Sequence, residues 1–550
     1  MAGNQPLFAQ EGRSSATSDE RAAREDDALL GSQRGSSDED KVEPRSRAGF
    51  WREVGIFVWA LLATATVIVL AVVLQHQSKS PTPGGKFKEP TGKKNLIFMV
   101  SDGMGPASLS LTRSFRQYQN NLPIDDVLIL DQHFIDHTAC GTVLEAAKRA
   151  GYMTGLVVTT SITDATPACF ASHVNLRSEE DLIAQQEVGH SNPLGRTLDL
   201  MFGGGRCHFL PNTMNGSCRG DDLDVTKVAQ EEYGWTYIDN RDDFNNLGPS
   251  PKLPLMGLFA RYNIPYEIDR RTMDEEYPSL EEMARVALRA LEAATQDSDK
   301  GFFLMIEGSR IDHAAHGNDP AAQVHEVLAY DRTVAAVLEF LDRSDDDGAF
   351  VGTSDHETGG LSIARQLHPP PSYPHYGWNP AVLANASHSA EHLARMLNDD
   401  WFEADKRKSY INKKYLQDGL GIWDAADEEL DLLIDNPTFA VYYFADMISR
   451  RARIGWSTHG HSAVDVNIYG HGEIGGLKGN HENTDVGKFL REFLDVNVDT
   501  ITKKLNKKSK PISSASDNGL SWTGKVPVEE DFRALSKQHE DFTVDFPQGS

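Results

Sequence analysis

A chain of 550 residues, 39% hydrophobic and 9% aromatic, has ample apolar material for one large core or two domains. Its formal charge of −27, from 81 acidic against 54 basic residues, excludes a surface built to hold a nucleic-acid backbone, which needs basic patches. The same acidity fits an ordinary solvated surface or a site that gathers divalent cations, and composition does not choose between them.

Residues 1–53 are polar, rich in Ser, Asp, Glu and Arg, and poor in aromatics, which predicts a disordered tail. Within it, residues 25–30 (Glu25, Asp26, Asp27, Ala28, Leu29 and Leu30) have the form of an acidic dileucine signal that a sorting adaptor binds. Residues 54–74 follow without a single charge. As a helix these 21 residues reach roughly 31 Å, the thickness of a bilayer core. The run is too long and starts too late for a cleaved signal peptide, so it reads as one uncleaved transmembrane anchor. Lys and Arg number five in residues 34–53 and five in residues 76–94, so flanking charge does not orient it. The two glycosylation sequons, at Asn215 and Asn385, and all four cysteines lie C-terminal to the span, which favours a cytosolic N-terminus and a lumenal remainder. Residues 75–94 read as a Ser/Pro/Gly/Lys linker.

Beyond the linker, short apolar runs recur and end in polar clusters. Residues 95–100 lead to Ser101 and Asp102, residues 155–160 to Asp164 and Thr166, residues 302–306 to Glu307, Asp312 and His316, and residues 349–353 to Asp355 and His356. Residues 459–461 (His459, Gly460, His461) instead precede a run at 464–469. Continuous runs of this length suit strands buried on both faces. Amphipathic stretches such as 280–294 separate them, and the alternation predicts an α/β fold with a doubly wound, mostly parallel sheet. Ligands then bind beyond the carboxyl ends of the strands, where four of the five clusters fall. Asp312 and His316, four apart, share one helical face, and a carboxylate with an imidazole is a sound zinc pair. A single such pair is also what an exposed helical turn looks like; the Asp-His, Asp-Gly and Gly-His clusters at neighbouring strand ends are the stronger signal.

Residues 357–455 read as an inserted small subdomain, whose Pro369, Pro370, Pro371, Tyr373, Tyr376 and Trp378 suit a dimer interface, a crown or an ordinary lid. The domain is expected to span 95–500, followed by a loosely ordered tail at 501–550 carrying Lys503, Lys504, Lys507 and Lys508. Four cysteines allow three pairings. Cys207 and Cys218 flank a Pro/Asn/Gly loop and are the preferred pair, with reduced buried cysteines as the alternative.

Taken together, SDGMG (101–105), GTVLEAAKRAGY (141–152), TTSITDATPACFASHVNLR (159–177), MIEGSRIDHAAH (305–316), TSDHETGG (353–360) and HGHSAVDV (459–466) resemble the alkaline phosphatase family, in its order. The anchor and short tail are similar to the membrane-anchored, repressible vacuolar members from fungi. The resemblance implies phosphate-monoester hydrolysis at alkaline pH with two zinc ions and one magnesium. Asp102 would bridge magnesium and one zinc. Asp164, Thr166 and Glu307 would complete the magnesium site, Asp312, His316 and His461 would hold one zinc, and Asp355 and His356 the other. Arg177 would clamp two phosphate oxygens. His313 and His459 read as neighbours rather than ligands. The resemblance further implies a homodimer acting on small monoesters and on phosphoproteins, with no nucleic-acid partner. It also implies a single-pass, type II glycoprotein of the vacuolar membrane with its catalytic domain in the lumen.

One part of the family pattern is missing. The nucleophilic serine belongs in an Asp-Ser-Ala motif between the first aspartate and the 141–146 segment, yet residues 131–142 read DQHFIDHTACGT. The chain passes from Ile135 to Asp136 as though a few dozen residues were absent. Ser101 and Ser161 are the serines considered as substitutes, and neither has a family precedent as nucleophile. Three readings stay open: a normal phosphatase of which this sequence skips an exon, a short form that is a metal-binding pseudoenzyme or a misfolded isoform, or a weak hydrolase that uses water directly. Phosphodiesterases, phosphomutases and sulfatases share much of the metal set; Arg177 with Asp164, Thr166 and Glu307 favours monoesters.

Overall fold

The computed structural model describes residues 93–100, 139–367, 377–400, 406–508 and 522–525. The 54–74 span, the signal at 25–30, Ser101, Asp102 and the junction between Ile135 and Asp136 lie outside the described residues. Among the described residues, no helix is long and apolar enough to cross a membrane.

The apolar runs become strands β1 (Lys94–Val100), β2 (Met153–Ser161), β3 (Leu200–Gly204), β4 (Thr236–Ile238), β5 (Leu255–Leu258), β6 (Phe302–Glu307) and β7 (Asp347–Thr353). Short strands follow: β8 (Glu357–Thr358), β9 (Ser362–Ile363), β10 (Ile454–Gly455), β11 (His461–Ser462) and β12 (Tyr469–His471). The main sheet has the order β12-β7-β1-β6-β2-β3-β5-β4. Every pairing in it is parallel except that of β12 with β7.

Burial explains the continuous runs. Along β1, Leu96, Phe98 and Val100 enter one apolar cluster while Ile97 and Met99 enter the other. Period-2 alternation therefore puts apolar side chains on both faces, and helices cover both. One face packs on α1 (Val143–Arg149), α2 (Ala165–Ala171) and α3 (Glu180–Val188). The opposite face packs on α4 (Leu280–Ala294) through Met283, Ala284, Ala287 and Leu291. α4 occupies the predicted residues, and a capping box between Ser279 and Glu282 sets its start. Arg241 grips the same Glu282 with two guanidinium nitrogens, at 2.5 and 3.0 Å. Partial burial works against the charge on Glu282, but the Arg241 fork and the Ser279 donors outweigh it and bring its pKa down to about 2. A depressed carboxyl pKa contributes stability above the ordinary value of about 4.5 and loses it as pH falls toward 2. Glu282→Gln is therefore expected to lower Tm at pH 7, with the gap to the parent closing as thermal melts are repeated down to pH 2; a gap constant with pH would contradict this.

Two expectations change. The run at 464–469 is not a strand along its length. Only Tyr469–His471 pairs, on the sheet edge. Asp465 and Asn467 interrupt the apolar residues there, and Val464 is 55% exposed, so this run has no second face to bury. The chain is also ordered past residue 500. After α5 (Arg310–His316), α6 (Pro320–Arg343), α7 (Ala390–Asp399), α8 (Ala440–Ala452) and α9 (Asn483–Leu494) comes α10 (Val498–Lys508). Among its lysines, Ile501 and Leu505 lie four apart and are buried against Ala146 and Leu194. Thr502 Oγ1 accepts from Gly141 N–H (2.8 Å) and Asn506 Oδ1 from Ala139 N–H (3.1 Å). Leu505→Ala should cost about 2–3 kcal/mol in urea unfolding; a loss under about 0.5 kcal/mol would show that α10 is not part of the cooperative core.

The 357–455 segment builds an apolar cluster around Leu393, Leu397, Tyr415, Leu416, Phe444 and Ile448. Tyr266, Ile268, Ala314, Ala321 and Ala322 from outside the segment share that cluster. Cys207 and Cys218 form a disulfide, while Cys140 and Cys169 are free. Asn215 and Asn385 are both exposed.

Candidate active site

Strand register sets the geometry. Val100 at the end of β1 is level with Glu307 of β6 and Thr353 of β7, and Val158 of β2 is level with Glu307. The loops that follow β2, β6 and β7 therefore open on one edge of the sheet, the carboxyl edge.

Glu307 is the last residue of β6 and only 1% exposed. Its carboxylate accepts from Ser309 Oγ (2.8 Å) and from the Thr166 hydroxyl. Burial raises its pKa, the negative Asp164 and Asp355 add to this, and it reaches about 8. Asp164 caps α2, accepting from Ala165 N–H at 2.7 Å, and Thr166 lies in the first turn of that helix. Arg177, half-exposed on the loop between α2 and α3, donates to Asp164 Oδ1 at 2.5 Å. His313 faces the other oxygen at 3.8 Å. Burial opposes the charge on Asp164, yet Arg177 and His313 hold its pKa below the ordinary value.

Four-residue spacing on α5 brings His316 Nε2 to 3.2 Å from Asp312 Oδ2, as the sequence predicts. His316 Nδ1 donates to the carbonyl of His459, which leaves Nε2 as the nitrogen with the lone pair. His459 Nδ1 donates in turn to the His316 carbonyl at 2.7 Å. The ribbon of β8 with β11 places His461 opposite Thr358. One ligand atom each of Asp312, His316 and His461 then lies within 4.8 Å of the others. Burial and the neighbouring His356 lower the His461 pKa to about 4, which keeps its imidazole neutral, the ligating form. His356 and His461 stack with ring centres 3.5 Å apart, and His356 Nε2 is 3.2 Å from Asp355 Oδ2.

Sequence reasoning missed two hydroxyls here, and read His459 as a neighbour of the ligands without finding its contact. Thr358 Oγ1 donates to Asp312 Oδ1 (2.6 Å) and lies 3.2 Å from His356 Nδ1, joining the two ligand groups. Ser309 touches Glu307 and accepts from Thr159 N–H at 3.3 Å. His459 orients His316 through its carbonyl. All three lie inside the quoted motifs, but a hydroxyl or carbonyl contact leaves no mark of spacing.

The donor set suits divalent cations. A buried carboxylate among hydroxyls and other carboxylates needs a positive charge, and carboxylate–imidazole groups match zinc while carboxylate–hydroxyl groups match magnesium. Fold and site thus define a class: an α/β protein with a cation-binding donor set at the carboxyl edge of a parallel sheet. The chain belongs to the alkaline phosphatase family, phosphoric monoester hydrolases, whose family model matches residues 130–496. It is 49% identical over 474 residues to the repressible alkaline phosphatase of Saccharomyces cerevisiae, covering 74% of this chain and 83% of that one. It is 41% identical over 508 residues to the alkaline phosphatase of Schizosaccharomyces pombe, covering 85% and 91%. Alkaline phosphatase structures from Thermus thermophilus (TM-score 0.55, 24% identity, 76% of this chain and 97% of that one) and Shewanella sp. (TM-score 0.53, 24% identity, 73% and 99%) share the fold. The 474 aligned positions exceed the 74% of this 550-residue chain that they cover, so the S. cerevisiae relative carries residues within the aligned stretch that this chain lacks.

Proposed function

We propose that this edge is a phosphate-monoester hydrolase centre for two zinc ions and one magnesium ion, and that the 550-residue chain itself turns substrate over poorly. The observation that carries the first part is the meeting of Asp312, His316 and His461 beside the buried Glu307. Asp312, His316 and His461 would hold one zinc, Asp355 and His356 with Asp102 the second, and Asp164, Thr166 and Glu307 with Asp102 the magnesium. When bound, the ions supply the concentrated positive charge that phosphoryl transfer requires. The chain's own residues do the positioning: Thr358 ties Asp312 to His356, and Arg177 swings from Asp164 to phosphate oxygens. The absence of an Asp-Ser-Ala motif between Asp102 and Gly141 supports the second part, a catalytically impaired form.

The sequence and the family resemblance support a wider setting. The protein is a single-pass, type II glycoprotein of the vacuolar membrane, anchored by 54–74, sorted through the 25–30 signal, and homodimeric, with a site shaped for small monoesters and phosphoproteins. Calorimetric titration with inorganic phosphate tests the site. The metal-loaded chain is expected to bind it, and Arg177→Ala to weaken binding about 10- to 100-fold through loss of a charge-assisted fork. Equal binding by the metal-stripped chain, or no change with Arg177→Ala, would contradict the assignment.

A further inference from the structure

Helix α5 carries Asp312 and His316, and the 389–391 segment of the insert grips it at both ends. At its start, Arg310 is 3% exposed. Its Nη2 donates to Glu391 Oε2 at 2.6 Å, and its Nη1 to the Ile264 carbonyl at 3.0 Å. The guanidinium lies over the Tyr266 ring, 3.6 Å from its centre. Just past the end of α5, Asp319 Oδ1 caps α6 by accepting from Ala321 and Ala322 N–H, both at 3.0 Å. The other oxygen, Oδ2, accepts from Ala390 N–H, the first residue of α7, at 2.7 Å. A third carboxylate, Asp269, accepts from Ser389 N–H (3.1 Å) and faces His388 Nδ1 (3.0 Å). Three consecutive residues of the insert thus bind groups on either side of the metal helix.

We infer that Arg310 is a positioning residue for the metal centre, which it serves by locking α5 to Glu391 of the insert. The inference rests on the reading of Asp312, His316 and His461 as a zinc site. A guanidinium can hold this place because it is planar: it stacks on Tyr266 while its two terminal nitrogens reach a carboxylate and a carbonyl at once. A lysine keeps the charge but not the stack or the second donor. Glu391 brings the insert into the arrangement: it lies in the first turn of α7, whose start Asp319 and Asp269 also bind. The side chain of Arg310 touches no reacting atom. Its effect passes through the placement of Asp312, two residues on, and His316, six residues on. Residues that orient ligands in this way commonly set metal affinity by about 10- to 100-fold.

The test is zinc affinity of the full chain, measured by competition with a chromophoric chelator. The parent and His316→Ala come first. If His316→Ala binds as much zinc as the parent, the zinc reading itself fails. If it binds one zinc fewer, Arg310→Met is expected to weaken that zinc about 10-fold or more, Arg310→Lys to fall between, and Glu391→Gln to follow Arg310→Met in direction. Val337→Ala, a fully buried core position away from the site, controls for stability. A lowered Tm with unchanged zinc affinity in Val337→Ala, beside lost affinity in Arg310→Met, supports a positioning role. Unchanged affinity in Arg310→Met and Glu391→Gln overturns it, as does an equal loss in Val337→Ala. If Arg310→Met does not fold, Arg310→Lys and Glu391→Gln decide alone.

Discussion

Insertion of a segment bearing an Asp-Ser-Ala motif between Ile135 and Asp136 is expected to raise turnover of a phosphate monoester at least about 1000-fold over the 550-residue chain. The size follows from what the chain retains and what it lacks. The proposed metal ligands on β2, β6 and β7 and their loops stand at one sheet edge, with Arg177 beside Asp164. With the proposed ions bound, these residues would supply binding and charge neutralisation, which alone leave an enzyme far below full rate when its nucleophile is gone. A nucleophile splits one difficult displacement into two easier ones. The segment from the S. cerevisiae relative is the natural donor, because that protein carries residues inside the aligned stretch that are missing here. Steady-state release of 4-nitrophenol at alkaline pH reads the effect. Family-like turnover by the uninserted chain, with phosphate trapped on Ser101 or Ser161, would show that another serine does the work.

His316→Ala should remove one zinc per chain and, in the inserted form, lower kcat/KM at least about 100-fold, beyond the usual cost of losing an orienting partner. His316 is 5% exposed and shares its setting with Asp312, which is 6% exposed. Burial opposes the charge on Asp312, yet contacts with His316, His313 and Thr358 hold its carboxyl well below the ordinary range. Among the described residues, the substitution leaves that buried carboxylate with the Thr358 hydroxyl as its remaining short contact, so the metal-free variant should also lose about 3 kcal/mol of stability. Metal content by mass spectrometry and unfolding in urea separate the two effects. Full activity in the variant would remove His316 from the metal site.

Much of this was legible in the sequence. The parallel sheet was, because strands such as β1 must be apolar on both faces, and continuous runs are the mark of that burial. The Asp312–His316 pair was, because helical spacing alone fixes it. The placement of His461 was legible only through the family motif, since a two-residue ribbon with Thr358 carries no periodic signal. α10 was not, because four lysines hide a stripe of Ile501 and Leu505 that needs a partner surface on α1 to have meaning. The link from Arg310 to Glu391 spans 81 residues and depends on two segments meeting in space, which no local pattern encodes.

The most direct test of the metal centre is the metal content of the purified 550-residue chain after dialysis against zinc and magnesium, read by element-specific mass spectrometry. Two zinc ions and one magnesium per chain are predicted. A chain that retains no zinc, or that retains as much zinc after His316→Ala, would contradict the account.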